Sequence, residues 1–144
     1  MSDAIKVAVV GVGQFGQNHA RVYHELPQAE LVGVYDIDSG RAEAIAKGHG
    51  CRAFGSIEEL FGQVQAASIA VPTVDHAAVA GRLLDAGVDV LVEKPFARTV
   101  AEADQMIATA ERHKLGVVSD FQAAQDLPEG TLDTNRNETV RPSS

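Results

Sequence analysis

Cysteine is almost absent from this sequence: Cys51 is the only one. No intrachain disulfide can form, and a cytoplasmic location is the default expectation. No Cys/His grouping has metal-ligand spacing, so no metal site is expected. Basic residues are in the minority, 12 Lys and Arg against 20 Asp and Glu, for a formal net charge of −8. That balance disfavours nucleic acid and anionic membrane as partners. No apolar run is long enough to span a bilayer. The opening Met1-Ser2-Asp3-Ala4-Ile5-Lys6 lacks the basic flank and apolar stretch of a signal peptide.

What is present is a chain of 144 residues, 45% hydrophobic, enough for one domain with a core and not for two ordinary ones. Ile5-Lys6-Val7-Ala8-Val9-Val10 is short, apolar and β-branched, and glycine follows at once, which reads as a buried parallel strand. Further strands are expected at 30–35, 51–54, 67–71, 88–92 and 115–119. Between them, helices are expected from Gln14 to His24, Ser39 to Lys47, Val74 to Asp85 with Gly87 as the stop, and from after Thr99 to about His113. Ser56 with Glu59, and Thr99 with Glu102, have capping-box spacing. Strand and helix alternate six times with short connections. This is the pattern of an α/β fold, a doubly wound, mostly parallel six-stranded sheet of order 3-2-1-4-5-6. Residues 1–122 read as this domain, and residues 123–144 as a polar, largely disordered tail.

Gly11-Val12-Gly13-Gln14-Phe15-Gly16 fits G-x-G-x-x-G. The pattern alone is weak, because a tight loop needs glycine with no ligand present. Here it follows an apolar strand and opens a helix. Gly11 permits the turn, Gly13 lets the backbone approach a pyrophosphate, and Gly16 lets helix and strand pack closely. The helix N-terminus then faces the phosphates. Asp36 stands 20 residues after Gly16, at the end of the second strand. A carboxylate there accepts the adenosine ribose hydroxyls and repels the extra phosphate of NADP. Asp38 adds negative charge beyond it. Arg41 lies within reach of the same corner and is the one cation able to meet a 2′-phosphate; as an ordinary helix-surface Arg it would pair with an acid. The expected cofactor is therefore NAD, in preference to NADP.

The glycine turn, Val71-Pro72-Thr73 with His76, and Glu93-Lys94-Pro95 together resemble the amino-terminal half of the glucose-fructose oxidoreductase and inositol dehydrogenase (Gfo/Idh/MocA) family. The resemblance covers roughly residues 4 to 122. It implies an NAD(P)-binding domain of an oxidoreductase that moves a hydride between the nicotinamide and a sugar or polyol hydroxyl. It further implies that Pro72 and Thr73 line the dinucleotide groove and that Glu93 lies near the nicotinamide. Lys94 would reach the nicotinamide ribose or the substrate hydroxyl, as the one candidate catalytic residue, in a direction set by Pro95. A lysine beside a positively charged ring could have a lowered pKa and assist proton transfer. As a plain strand-end lysine it would pair with Glu93. His76 is assigned to the groove as well, with a cap or core role as the alternative. His19, His24, His49 and His113 read as helix or loop residues.

The family's second α/β domain, which holds the substrate and the usual histidine acid or base, has no match in this sequence. A shortened relative and a piece of a longer polypeptide both fit. So do a cofactor half of an enzyme and a non-catalytic dinucleotide-binding or sensing module. An uncovered sheet edge would favour a homodimer or a partner protein.

Overall fold

The computed structural model describes residues 4–93 and 96–118. Its centre is β1 (Ile5–Val10), which pairs in parallel with β2 (Ala29–Tyr35) on one edge and with β4 (Ala66–Ile69) on the other. Outside β2 lies β3 (Arg52–Ala53), and outside β4 lie β5 (Asp89–Val92) and then β6 (Val117–Val118), all parallel. The order β3-β2-β1-β4-β5-β6 is the doubly wound one. Five strands form the body of the sheet, and the sixth is a two-residue addition at its edge.

Side chains of a strand alternate between faces. On β1, Val7 and Val9 enter one core while Ala8 and Val10 enter the other. The first core is closed by α1 (Gln14–Glu25) and α2 (Ser39–His49), through Ala20, Tyr23, Ala42 and Ala46. The second is closed by α3 (His76–Asp85) and α4 (Val100–Arg112), through residues that include Leu83, Leu84 and Met106. In α1 the buried positions are Gly16, His19, Ala20 and Tyr23, one stripe at helical spacing. Tyr23 reaches across to β4, where its hydroxyl lies 2.6 Å from Ser68 Oγ. Among the described residues no helix is long and apolar enough to cross a membrane.

Several elements differ from the sequence expectation. β3 is shorter than 51–54, although Phe54 N–H still donates to the Val34 carbonyl at 2.8 Å. β4 ends at Ile69, although the Ala70 N–H still donates to the Val10 carbonyl at 2.8 Å before the chain runs on through Val71 to Pro72. The expected helix from Val74 is a short 3₁₀ turn, Thr73–Asp75, followed by α3. Gly87, at φ +86, does stand just past the end of α3. Ser56 precedes a 3₁₀ turn (Ile57–Leu60) and makes no side-chain cap; Glu59 instead accepts the Gly55 N–H at 3.0 Å. Thr99 does cap α4 by accepting the Glu102 N–H at 3.1 Å, while the Glu102 carboxylate accepts from Arg98 rather than from Thr99. The tail at 123–144 lies outside the described residues.

Candidate functional site

The sheet order reverses between β1 and β4, and open sheets bind ligands outside their strand carboxyl ends at such a point. A cleft of about 840 Å³ opens there. Its floor is the turn from β1 into α1. Gly11 has φ +92, a conformation that side chains rarely adopt, and a Cβ on it would stand 2.9 Å from the Ala70 carbonyl carbon and from the Val71 nitrogen. A Cβ on Gly16 would overlap the Gly11 carbonyl oxygen outright. The fold alone therefore demands these two glycines. Gly13 is different. Its φ is −71, and a Cβ there would meet only Arg41 Nη1, at 3.8 Å. Among the described residues no atom forbids a side chain at Gly13, which opens on the cleft as the uncapped start of α1. The first turn of α1 carries no acidic residue, so the positive end of its dipole is not offset there.

The next wall is the corner between β2 and α2. Asp36 is 7% exposed. Its Oδ2 accepts the Val12 N–H at 2.8 Å, and its Oδ1 accepts the Asp38 N–H at 2.8 Å. Asp36 thus ties the glycine turn to the strand-two turn, and a carboxylate with about four acceptor sites keeps capacity on each oxygen. Arg41 Nη1 stands 3.6 Å from Asp36 Oδ2, and its Nη2 stands 3.9 Å from Asp38 Oδ2. Asp38 itself is the N-cap of α2, accepting the Arg41 N–H at 3.1 Å.

Pro72, Thr73 and His76 line the far side of the cleft, and Glu93 closes it at the end of β5. His76 is 1% exposed; its Nδ1 lies 3.1 Å from the Phe96 carbonyl oxygen and its Nε2 lies 2.9 Å from that of Val71. Both ring nitrogens thus face backbone. Glu93 pairs through Oε2 with His19 Nε2, and His19 is fully buried on α1. Burial pushes the His19 pKa below its ordinary value, and the hydrogen bond and charge of Glu93 pull against that shift.

Gly11, Gly13 and Phe15 thus share one cleft with Asp36 and Arg41, and with the far-wall residues just described. Gln14 and Asp38 are exposed beside it, and Gly16 is buried beneath it. Lys94 and Pro95 lie outside the described residues. The sequence reading misses Ile37, Ile57 and Arg82, which also line the cleft. Ile37 carries a signal, since a 94% exposed isoleucine between two aspartates has no core to serve. Arg82 pairs with Glu58 and carries none. The reading of His19 as an ordinary helix residue gives way to a buried partner of Glu93. Its spacing with Gly16, Ala20 and Tyr23 marks the buried stripe.

The profile of the family described as "Oxidoreductase family, NAD-binding Rossmann fold" (GFO_IDH_MocA) matches residues 5–121. The UDP-N-acetylglucosamine 3-dehydrogenase of Acidithiobacillus ferrooxidans is 44% identical over 110 residues, 76% of this chain and 34% of that protein. Its solved structure superposes with a TM-score of 0.77 at 39% identity, over 81% of this chain and 37% of that one. The glucose-6-phosphate 3-dehydrogenase of Bacillus subtilis is 36% identical over 107 residues, 74% of this chain and 31% of that protein. The structure of GenD2 from gentamicin A biosynthesis, in complex with NAD, superposes with a TM-score of 0.77 at 31% identity, over 81% of this chain and 34% of that one. The chain spans about a third of the length of these curated relatives.

Proposed function

This chain belongs to the Gfo/Idh/MocA oxidoreductase family, and from that membership we propose that it is the dinucleotide-binding part of an oxidoreductase using NAD in preference to NADP. The observation that carries the reading is Gly13. Its two neighbours in the motif are needed by the backbone, whereas the missing side chain at Gly13 clears space over an uncapped helix start. A pyrophosphate is a group that needs both the space and the helix terminus. Asp36 would accept the adenosine ribose hydroxyls with its remaining lone pairs. A 2′-phosphate would face that buried carboxylate, and Arg41 already lies near two carboxylates. Preference for NAD follows, and Arg41 is the residue that limits it.

When bound, the cofactor supplies a hydride acceptor or donor at its nicotinamide. The chain's own residues do the rest of the binding. Gly13 and the start of α1 take the phosphates, Asp36 fixes the adenosine end, and Pro72, Thr73 and Glu93 bound the opposite half. Lys94, by its place in the Glu-Lys-Pro triplet, is proposed to assist proton transfer at the substrate hydroxyl. A sugar or polyol is the proposed substrate class, supported by relatives named for sugar derivatives. A closed, dry site needs more wall than the described residues build, so turnover is proposed for the assembled enzyme.

Isothermal titration of the chain with NADH and NADPH tests the reading. NADH should bind more tightly. Equal or tighter binding of NADPH would mean that Arg41 outweighs Asp36. No binding of either overturns the dinucleotide function.

A further inference from the structure

Among the described residues, five polar side chains are buried: His19, Asp36, Ser68, His76 and Thr109. Three have local work. Asp36 ties the glycine turn, Ser68 meets Tyr23, and Thr109 donates to the Gln105 carbonyl of its own helix at 2.9 Å. The two histidines are different, because both reach the same short stretch of chain. His19 comes from α1 on one face of the sheet and engages the Glu93 carboxylate. His76 comes from α3 on the other face and meets the Phe96 carbonyl, while its second nitrogen meets Val71 on the β4 exit. Glu93 is also joined to β4, its N–H donating to the Ile69 carbonyl at 3.2 Å.

Buried imidazoles are costly unless they are hydrogen-bonded, and an apolar side chain would fill either position more simply. The partners sit where a ligand would feel them. Glu93, His76 and Val71 all line the cleft. With the adenosine at the Asp36 corner and the pyrophosphate over the glycine turn, the nicotinamide half falls to the exits of β4 and β5.

We infer that His19 and His76 are positioning residues that hold the exit of β5 as the wall of the nicotinamide half, His19 through the Glu93 carboxylate and His76 through the Phe96 carbonyl. The inference rests on the proposed dinucleotide function. It concerns what the two buried rings do to the wall, through the Glu93 carboxylate and the Phe96 carbonyl. Both His76 contacts are to carbonyl oxygens, 3.1 Å to Phe96 and 2.9 Å to Val71, and the Phe96 contact is the one assigned here.

Amide substitutions separate these contacts, because an asparagine amide stands near the place of Nδ1 and a glutamine amide near that of Nε2. His19→Gln keeps a donor for Glu93 and His19→Asn withdraws it. His76→Asn keeps the donor for Phe96 and His76→Gln moves it to Val71. The probes are NADH and ADP-ribose, which lacks the nicotinamide, titrated against each folded variant of the full chain. H19N and H76Q should weaken NADH by roughly five- to ten-fold, the worth of about one hydrogen bond, and leave ADP-ribose within about two-fold. H19Q and H76N should stay within about two-fold of the wild type for both ligands. Equal losses of both ligands, or no loss of either, overturn the positioning role while the wild type still binds. So does H76N behaving like H76Q. A wild type that binds neither ligand overturns the dinucleotide reading itself, and this inference with it. If H19N does not fold, His19→Leu fills the buried position without a donor for Glu93 and must shift the NADH to ADP-ribose ratio in the same direction. An unchanged ratio counts against the inference.

Discussion

At the scale of single residues, the three motif glycines separate into two kinds. Gly11 and Gly16 answer to the backbone, whereas the described residues leave Gly13 uncrowded. Gly13→Ala should change the unfolding free energy by less than about 1 kcal/mol, since φ −71 suits any residue. The same change should weaken NADH on the order of ten-fold or more. Gly16→Ala should cost about 3 kcal/mol or more, because backbone must move to admit the methyl. Chemical denaturation with a parallel titration checks both; a large stability loss in the Gly13 variant would return that glycine to the fold. His19 carries a second prediction. Its pKa is held below the ordinary 6.5, so under acid the unfolded chain binds the proton more readily than the folded one. The stability tied to this residue is intact above pH 6.5 and is lost as pH falls through the lowered value. Melting curves from pH 7.5 to pH 5 should drop more steeply for the wild type than for His19→Gln. Parallel curves would show that His19 does not titrate differently in the two states.

At the scale of elements, α1 is the piece that joins fold to site. One stripe of it packs on the sheet, its first turn opens on the cleft, and its centre sends His19 to Glu93. Tyr23 fastens its far end to Ser68, and burial pushes the Tyr23 pKa up to about 12 against the opposing hydrogen bond. Tyr23→Phe leaves Ser68 Oγ buried without that partner and should cost about 1–2 kcal/mol in urea unfolding. The wild type should also lose stability as pH rises from 10 towards 12, since the unfolded tyrosine ionises first, and the variant should lack that component. Elements whose signal is local are readable in the sequence. The β-branched run 5–10, the cap at Thr99 and the stop at Gly87 all appear where the residues put them. Elements decided by a neighbour are not. Ala70 and Val71 read as strand, yet β4 ends at Ile69; the Ala70 N–H still donates to the Val10 carbonyl at 2.8 Å, and the backbone of both packs against Gly11. Asp36 is legible from its distance to the glycines, but its bond to Val12 is a tertiary fact. The His19–Glu93 pair spans 74 positions, and no local pattern announces its second member.

At the scale of the whole molecule, the two cores lie on opposite faces of one sheet and share its central strand. β1 gives alternate residues to each core, and both its edges are paired. A fluctuation that frees one face of β1 must therefore break the other face as well. The amide hydrogens of Val7 to Val10 have no local route to solvent, and in heavy water they should exchange only when the entire chain unfolds. Arg52 and Ala53, on a two-residue edge strand, should exchange through small openings long before. The central amides then act as an isotopic clock for the global equilibrium. Because a ligand bound only by the folded state lowers the unfolded population, NADH at a hundred times its Kd should slow that clock by about a hundred-fold, with far less effect at the edge. Central amides that exchange as fast as those of β3 would mean that the two halves of the sheet come apart independently.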